Sequence, residues 1–151
     1  MTHALTPRPD SRVFLFLQGP HGPFFWQLSR ALRDGGARTL RVGFNRGDDA
    51  FWPERDSYIA QTAPLSGWQE TVGGIMATQG VTDLVVYGDT RPIHAAAITQ
   101  ARRRGITVHV FEEGYLRPYW VTYERGGANG NSPVMATTVE QMRRALEGID
   151  M

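Results

Sequence analysis

A chain of 151 residues with 41% apolar and 21% charged residues has the length and composition of one globular domain, or of half a two-domain enzyme. It has no cysteine, which excludes disulfides, thiolate zinc sites and thiol nucleophiles; all 16 basic residues are arginine, which excludes a P-loop lysine, a lysine Schiff base and a lysine general base. The net charge of +1, with Arg102-Arg103-Arg104 as the only basic run, gives no nucleic-acid footprint.

Residues 1–11 hold Pro7 and Pro9 and no apolar stretch, so they read as a disordered or extended arm rather than a signal peptide. The run Val13-Phe14-Leu15-Phe16-Leu17 has no polar alternation, as a strand buried on both faces requires, and is far short of the ~20 residues of a membrane span. These features predict a cytoplasmic protein. Gln18-Gly19-Pro20-His21-Gly22-Pro23 breaks the strand, and Phe24, Phe25, Leu28, Ala31 and Leu32 then recur at helical spacing up to Gly35-Gly36. Residues 39–44 read as a second strand and 45–57 as a long polar loop carrying Phe51-Trp52. Trp68, Val72, Ile75 and Met76 mark a weaker helix, interrupted by Gly73-Gly74 and closed at Gly80. Leu84-Val85-Val86-Tyr87 is the third strand. Pro92 opens a helix with Ile93, Ala97, Ile98 and Ala101 as its apolar stripe, and residues 106–111 form the fourth strand. A short fifth strand over 120–123 and a last helix near 138–147 complete the pattern.

Strands alternating with helices predict an α/β fold: a Rossmann-like three-layer domain over residues 12–151, with a mostly parallel sheet of four to five strands and the order 2-1-3-4. Each strand then ends in a polar cluster: Gln18-Gly19, residues 45–48, residues 88–91, and residues 112–115. In an open parallel sheet these ends share one edge, where ligands bind. Gly19-Pro20-His21-Gly22-Pro23 lacks the G-x-G-x-x-G spacing of a dinucleotide loop, and its prolines remove N–H donors.

Glu112 and Glu113 read either as a solvated pair capping a turn or as a carboxylate base or nucleophile facing the cleft, with its neighbour turned away. Asp89 and Arg91 suit an ion pair or ligand contacts, and His94 in the first turn of a helix suits a structural role or an anion site. Arg46, Arg91 and Arg117 lie in loops at the presumed site, where guanidinium forks hold phosphate or carboxylate. The four histidines lack ligand-like spacing, so no metal is expected.

Five clusters occur in order: residues 17–25; Phe44-Asn45-Arg46-Gly47-Asp48; Gly88-Asp89-Thr90-Arg91-Pro92-Ile93-His94; Glu112-Glu113-Gly114-Tyr115-Leu116-Arg117-Pro118; and residues 123–132 around Asn129. Together they resemble the capsule polysaccharide biosynthesis and export family of Gram-negative bacteria, in particular its β-Kdo (3-deoxy-D-manno-oct-2-ulosonic acid) transferases. The resemblance implies one half of a GT-B glycosyltransferase: the N-terminal, acceptor-side domain of a retaining, metal-independent enzyme. CMP-β-Kdo would be its donor substrate, with no further cofactor, and a lipid or glycan its acceptor. Glu113 matches the position where a nucleophile is expected, supported by Glu112, with Asp89 as a further catalytic candidate. Gln18, Gly19, His21, Asn45, Asp48, Arg91, His94, Tyr115, Arg117 and Asn129 would line the substrate side.

Family members continue into a second domain with a His-Pro motif, a pair absent from these 151 residues, so the chain is expected to need a C-terminal partner domain and to be inactive alone. Peripheral contact with export machinery at the inner membrane follows from the same resemblance. The alternatives are a non-catalytic docking module of capsule assembly and a stand-alone flavodoxin-like binding domain. Phe51, Trp52, Trp68, Tyr119 and Trp120 are many large aromatics for one small domain, and some are expected on a surface beside the cleft.

Overall fold

The first strand, β1 (Val13–Phe16), alternates Phe14 and Phe16 on one side with Leu15 on the other, and all three are buried. That alternation builds two cores. Leu15 and Leu17 join Leu40, Val42, Leu84, Val86, Val108 and Val110 beneath Trp68, Val72, Met76, Ala97, Ile98 and Ala101. Phe14, Phe16 and Val85 pack on the opposite face against Phe25 and Trp52. The computed structural model describes residues 12–116 and 119–147, so the arm over 1–11 and the candidate Arg117 lie outside the described residues.

The elements follow as α1 (Phe24–Asp34), β2 (Arg38–Gly43), α2 (Arg46–Ala50), β3 (Tyr58–Ala60), α3 (Trp68–Gln79), β4 (Asp83–Tyr87), α4 (Pro92–Arg103), β5 (Thr107–Glu113), β6 (Val121–Arg125) and α5 (Val139–Leu146). Helix α1 covers one face of the sheet and α3 and α4 the other, which makes the three layers of a Rossmann-like domain. The sheet order is β3-β2-β1-β4-β5-β6; β1 to β5 run parallel and β6 pairs antiparallel with β5. The four strands strongest in the sequence, β1, β2, β4 and β5, stand in the predicted order 2-1-3-4.

The sheet has six strands where four to five were expected. The loop predicted over 45–57 holds α2, whose Asn45 side chain accepts from the Asp48 N–H at 3.0 Å, and a 3₁₀ turn, Arg55–Ser57. It leads straight into β3, three residues long and too short to show a period of two. The glycines expected to interrupt α3 do not break it. A Cβ on Gly73 would stand 2.9 Å from the Arg104 side chain and 3.0 Å from Gln100, so the glycine lets α4 approach. Strand β5 runs two residues beyond its predicted end because β6 extends the ladder, pairing Glu112 with Thr122 and Glu113 with Val121. Among the described residues no helix is long and apolar enough to cross a membrane.

Candidate functional site

The C-terminal ends of β1, β2, β4 and β5 open onto a cleft of ≈ 420 Å³, lined by Gln18, His21, Arg41, Asp48, Arg91 and Glu113 among others. A second hollow of ≈ 430 Å³ continues from it across Arg91 and Glu113 to Glu112, Tyr115 and Asn129. Residues predicted from four separate strand ends therefore meet at one edge, as parallel topology demands.

Glu112 and Glu113 sit within β5, so their side chains alternate across the strand. Glu112 is half-buried and accepts a hydrogen bond from the Asn129 side-chain amide, while Glu113 is exposed and lines both hollows. Arg91 reaches across from the start of α4 to donate to Gln18 Oε1 at 3.5 Å. Gly19 gives the cleft wall its close packing, since a Cβ there would stand 2.7 Å from the Phe25 ring. Asn45 caps α2 and, with Gly47 and Asp48, lines the same cleft as Glu113.

Two of the predicted residues face inward. Asp89 is buried; its Oδ2 accepts from the Ala128 backbone N–H and the Asn131 amide, both at 3.1 Å, and no Asp89–Arg91 pair forms. The carboxylate thus fastens the loop that presents Asn129. His94 is fully buried, with Nδ1 2.7 Å from the Gly88 carbonyl oxygen, which places the ring proton on Nδ1. Burial pushes its pKa below the ordinary histidine value; Arg91 acts the same way, while the Gly88 bond, Asp48 and Asp89 oppose the shift.

Residues 82–147 match the family described as capsule polysaccharide biosynthesis protein. The capsule polysaccharide export protein KpsS of Escherichia coli is 35% identical over 132 residues, covering 86% of this chain and 33% of the relative. The capsule polysaccharide modification protein LipB of Neisseria meningitidis serogroup A is 35% identical over 121 residues, covering 80% of this chain and 29% of the relative. The chain belongs to the capsule polysaccharide biosynthesis family. It spans about a third of the length of the curated relatives it matches.

In this capsule-family domain the aromatic side chains divide. Trp52 and Trp68 belong to the cores and Phe51 lines the cleft, whereas Tyr115, Tyr119 and Trp120 are exposed around the turn between β5 and β6. Among the described residues no three His, Asp or Glu side chains converge as a metal site.

One cleft residue was not singled out from the sequence. Arg41 lies in β2 between Leu40 and Val42, only 2% exposed, and its Nη2 donates to Asp48 Oδ1 at 3.0 Å. Its guanidinium also sits over the Trp52 ring, 5.7 Å from the centroid. An arginine in the middle of a predicted strand of a three-layer sheet is itself the signal that could have found it.

Proposed function

We propose that this domain is the acceptor-side half of a retaining glycosyltransferase of the GT-B kind, moving Kdo from CMP-β-Kdo to a lipid or glycan acceptor during capsule assembly. The observation that supports it best is the unequal setting of the two glutamates. Glu113 stands at the cleft with Gln18, Arg91 and His21 around it, while Glu112 is held by Asn129. In the first step the Glu113 carboxylate attacks the anomeric carbon, the bond to the phosphate breaks, and CMP leaves with the electron pair. An acceptor hydroxyl then attacks the glycosyl ester, its proton passes to solvent, and Glu113 is released. Arg91 suits the sugar carboxylate, and no resident cofactor takes part in these steps. Further chain, equivalent to the remaining two-thirds of the relatives, would close the cleft and carry the nucleotide. The names of KpsS and LipB, which speak of capsule polysaccharide export and modification, support a role in capsule assembly.

The test supplies the 151-residue chain with CMP-β-Kdo, first alone and then fused to the remaining two-thirds of a longer relative. CMP release and a Kdo-modified acceptor are expected from the fusion only, with a Kdo ester on Glu113 detectable by mass spectrometry when acceptor is withheld. A folded fusion that releases no CMP would overturn the enzymatic reading. The exposed Tyr115, Leu116, Tyr119 and Trp120 would then favour a docking module in capsule assembly.

A further inference from the structure

Among the described residues three side-chain atoms are buried without a hydrogen-bond partner: Arg41 Nε, Asp89 Oδ1 and His94 Nε2. Buried polar groups in folded proteins are overwhelmingly paired, so such a group calls for a reason. All three belong to the edge of the sheet that carries the cleft, and Asp48 and Asp89 both act electrostatically on His94. Of the three residues, Arg41 alone lines the cleft. A guanidinium offers five N–H donors in a planar fork. Only Nη2 of Arg41 has a described partner, Asp48 Oδ1. Asp48 is satisfied on its other oxygen, where Oδ2 accepts from the Phe44 N–H at 2.8 Å. The arginine is therefore held in place by one carboxylate while its buried donor capacity at Nε has no partner. A purely structural strut would use that capacity within the domain, as the Arg12 fork does by gripping both oxygens of Asp83.

The geometry points to Arg41 as an anion receptor in the floor of the cleft, taking a carboxylate or phosphate oxyanion of the ligand, with Asp48 as the internal counter-ion that this group competes against. The chemistry follows from the setting. Arg41 is 2% exposed, and in so little water a second anion gains far more from the guanidinium than at a surface arginine. Arg91, exposed at the rim, adds a second positive charge on the same cleft. This inference takes from the proposed function only that the cleft is the substrate site. It needs no transfer chemistry, so anion binding by the chain together with no turnover in the folded fusion would sink that reading and keep this one.

The experiment uses the full chain and three probes: free Kdo, its methyl ester and inorganic phosphate. In the wild-type protein the buried Nε–H of Arg41 gives a ¹⁵N–¹H resonance that is expected to move on titration with an oxyanion and to ignore the neutral ester. Movement with Kdo alone assigns the site to a carboxylate, and movement with phosphate alone to a phosphate. Asp48→Asn removes the competing charge, so the active anion should bind about tenfold more tightly. The double variant Arg41→Met/Asp48→Asn removes both buried charges together; it should fold and lose anion binding. An Arg41 resonance unmoved by every probe would overturn the assignment without recourse to any variant. So would folded Asp48→Asn binding no more tightly than wild type, or the folded double variant binding as well as wild type.

Discussion

His109 Nε2 stands 2.7 Å from Asp83 Oδ1, and on its other side His109 Nδ1 stands 2.7 Å from the Tyr123 hydroxyl. With the Nε2–H donating to the carboxylate, Nδ1 is left to pair with the phenol. Arg12 donates to both oxygens of Asp83, and the Thr82 hydroxyl donates to Oδ2 at 2.6 Å. This network ties β4, β5 and β6 to the residue before β1. It lies toward the start of β4, opposite the edge that holds the cleft. The domain thus keeps this densely paired polar cluster apart from the one that leaves a buried arginine donor unpaired.

Removing Asp83 should therefore be costly. Asp83→Ala leaves His109 and Arg12 without their acceptor, and about 2–3 kcal/mol of stability should be lost, less than for a fully buried pair because Arg12 is partly in water. Tyr123→Phe removes one hydrogen bond and should cost about 1 kcal/mol. Urea denaturation of both variants checks the order; equal midpoints for Asp83→Ala and wild type would refute the account.

The same carboxylate governs the acid limb. Burial pushes Asp83 up, but hydrogen bonds from His109, Arg12 and Thr82 outweigh it and hold its pKa well below the usual carboxylate range. A depressed pKa means that the unfolded chain takes up the proton first. Stability from this group is complete above the unfolded value of about 4 and falls as pH drops below it. Asp83→Asn should flatten the acid limb between about pH 4 and 2 in urea midpoints. An unchanged limb would contradict the assignment.

His94 gives a separate window. Its pKa is lowered chiefly by burial, so below about pH 6.5 the unfolded state binds the proton more readily and stability falls as the medium acidifies. His94→Leu loses the Gly88 bond and should be less stable at pH 7, yet its stability should vary less between pH 7 and 5. A slope equal to that of wild type would show that another group titrates in this range.

Much of this edge was legible because glycine, proline and polar residues cluster where apolar runs stop, and parallel topology gathers those stops. Gln18, Asp48, Arg91 and Glu113 were found in that way, and the comparisons then gave the family that the five clusters resemble. Side-chain direction was not legible. Asp89 follows a strand just as Glu112 and Glu113 end one, but it turns inward onto Ala128 and Asn131 through contacts 39 and 42 residues away. Strand β3 escaped notice because three residues carry no periodicity, and Arg41 because it stands in mid-strand, away from the polar clusters at the strand ends.

Asp89 should thus act on the site through its loop. Asp89→Ala frees the Ala128 N–H and the Asn131 amide, and about 2 kcal/mol should be lost with faster hydrogen exchange at Ala128. Gly127→Ala should perturb the same loop, because a Cβ there would stand 2.3 Å from the Asn131 carbonyl oxygen. Unchanged exchange at Ala128 in Asp89→Ala would remove Asp89 from this role.

The glutamates provide the last contrast. If Glu113 carries the covalent step, Glu113→Gln in the fused enzyme should abolish Kdo transfer while leaving the unfolding midpoint close to wild type, since the side chain is exposed and an amide cannot form the glycosyl ester. Glu112→Gln should reduce transfer by a smaller factor, because its carboxylate meets Asn129 and serves to hold that side of the second hollow. Asn129→Ala breaks the same contact from the other partner and should lower kcat by a factor similar to that of Glu112→Gln. The double variant should then be no worse than either single one, as expected when two residues act through one interaction. Full activity in Glu113→Gln would eliminate the covalent role. Additive losses in the Glu112/Asn129 pair would instead show that Glu112 meets the substrate directly.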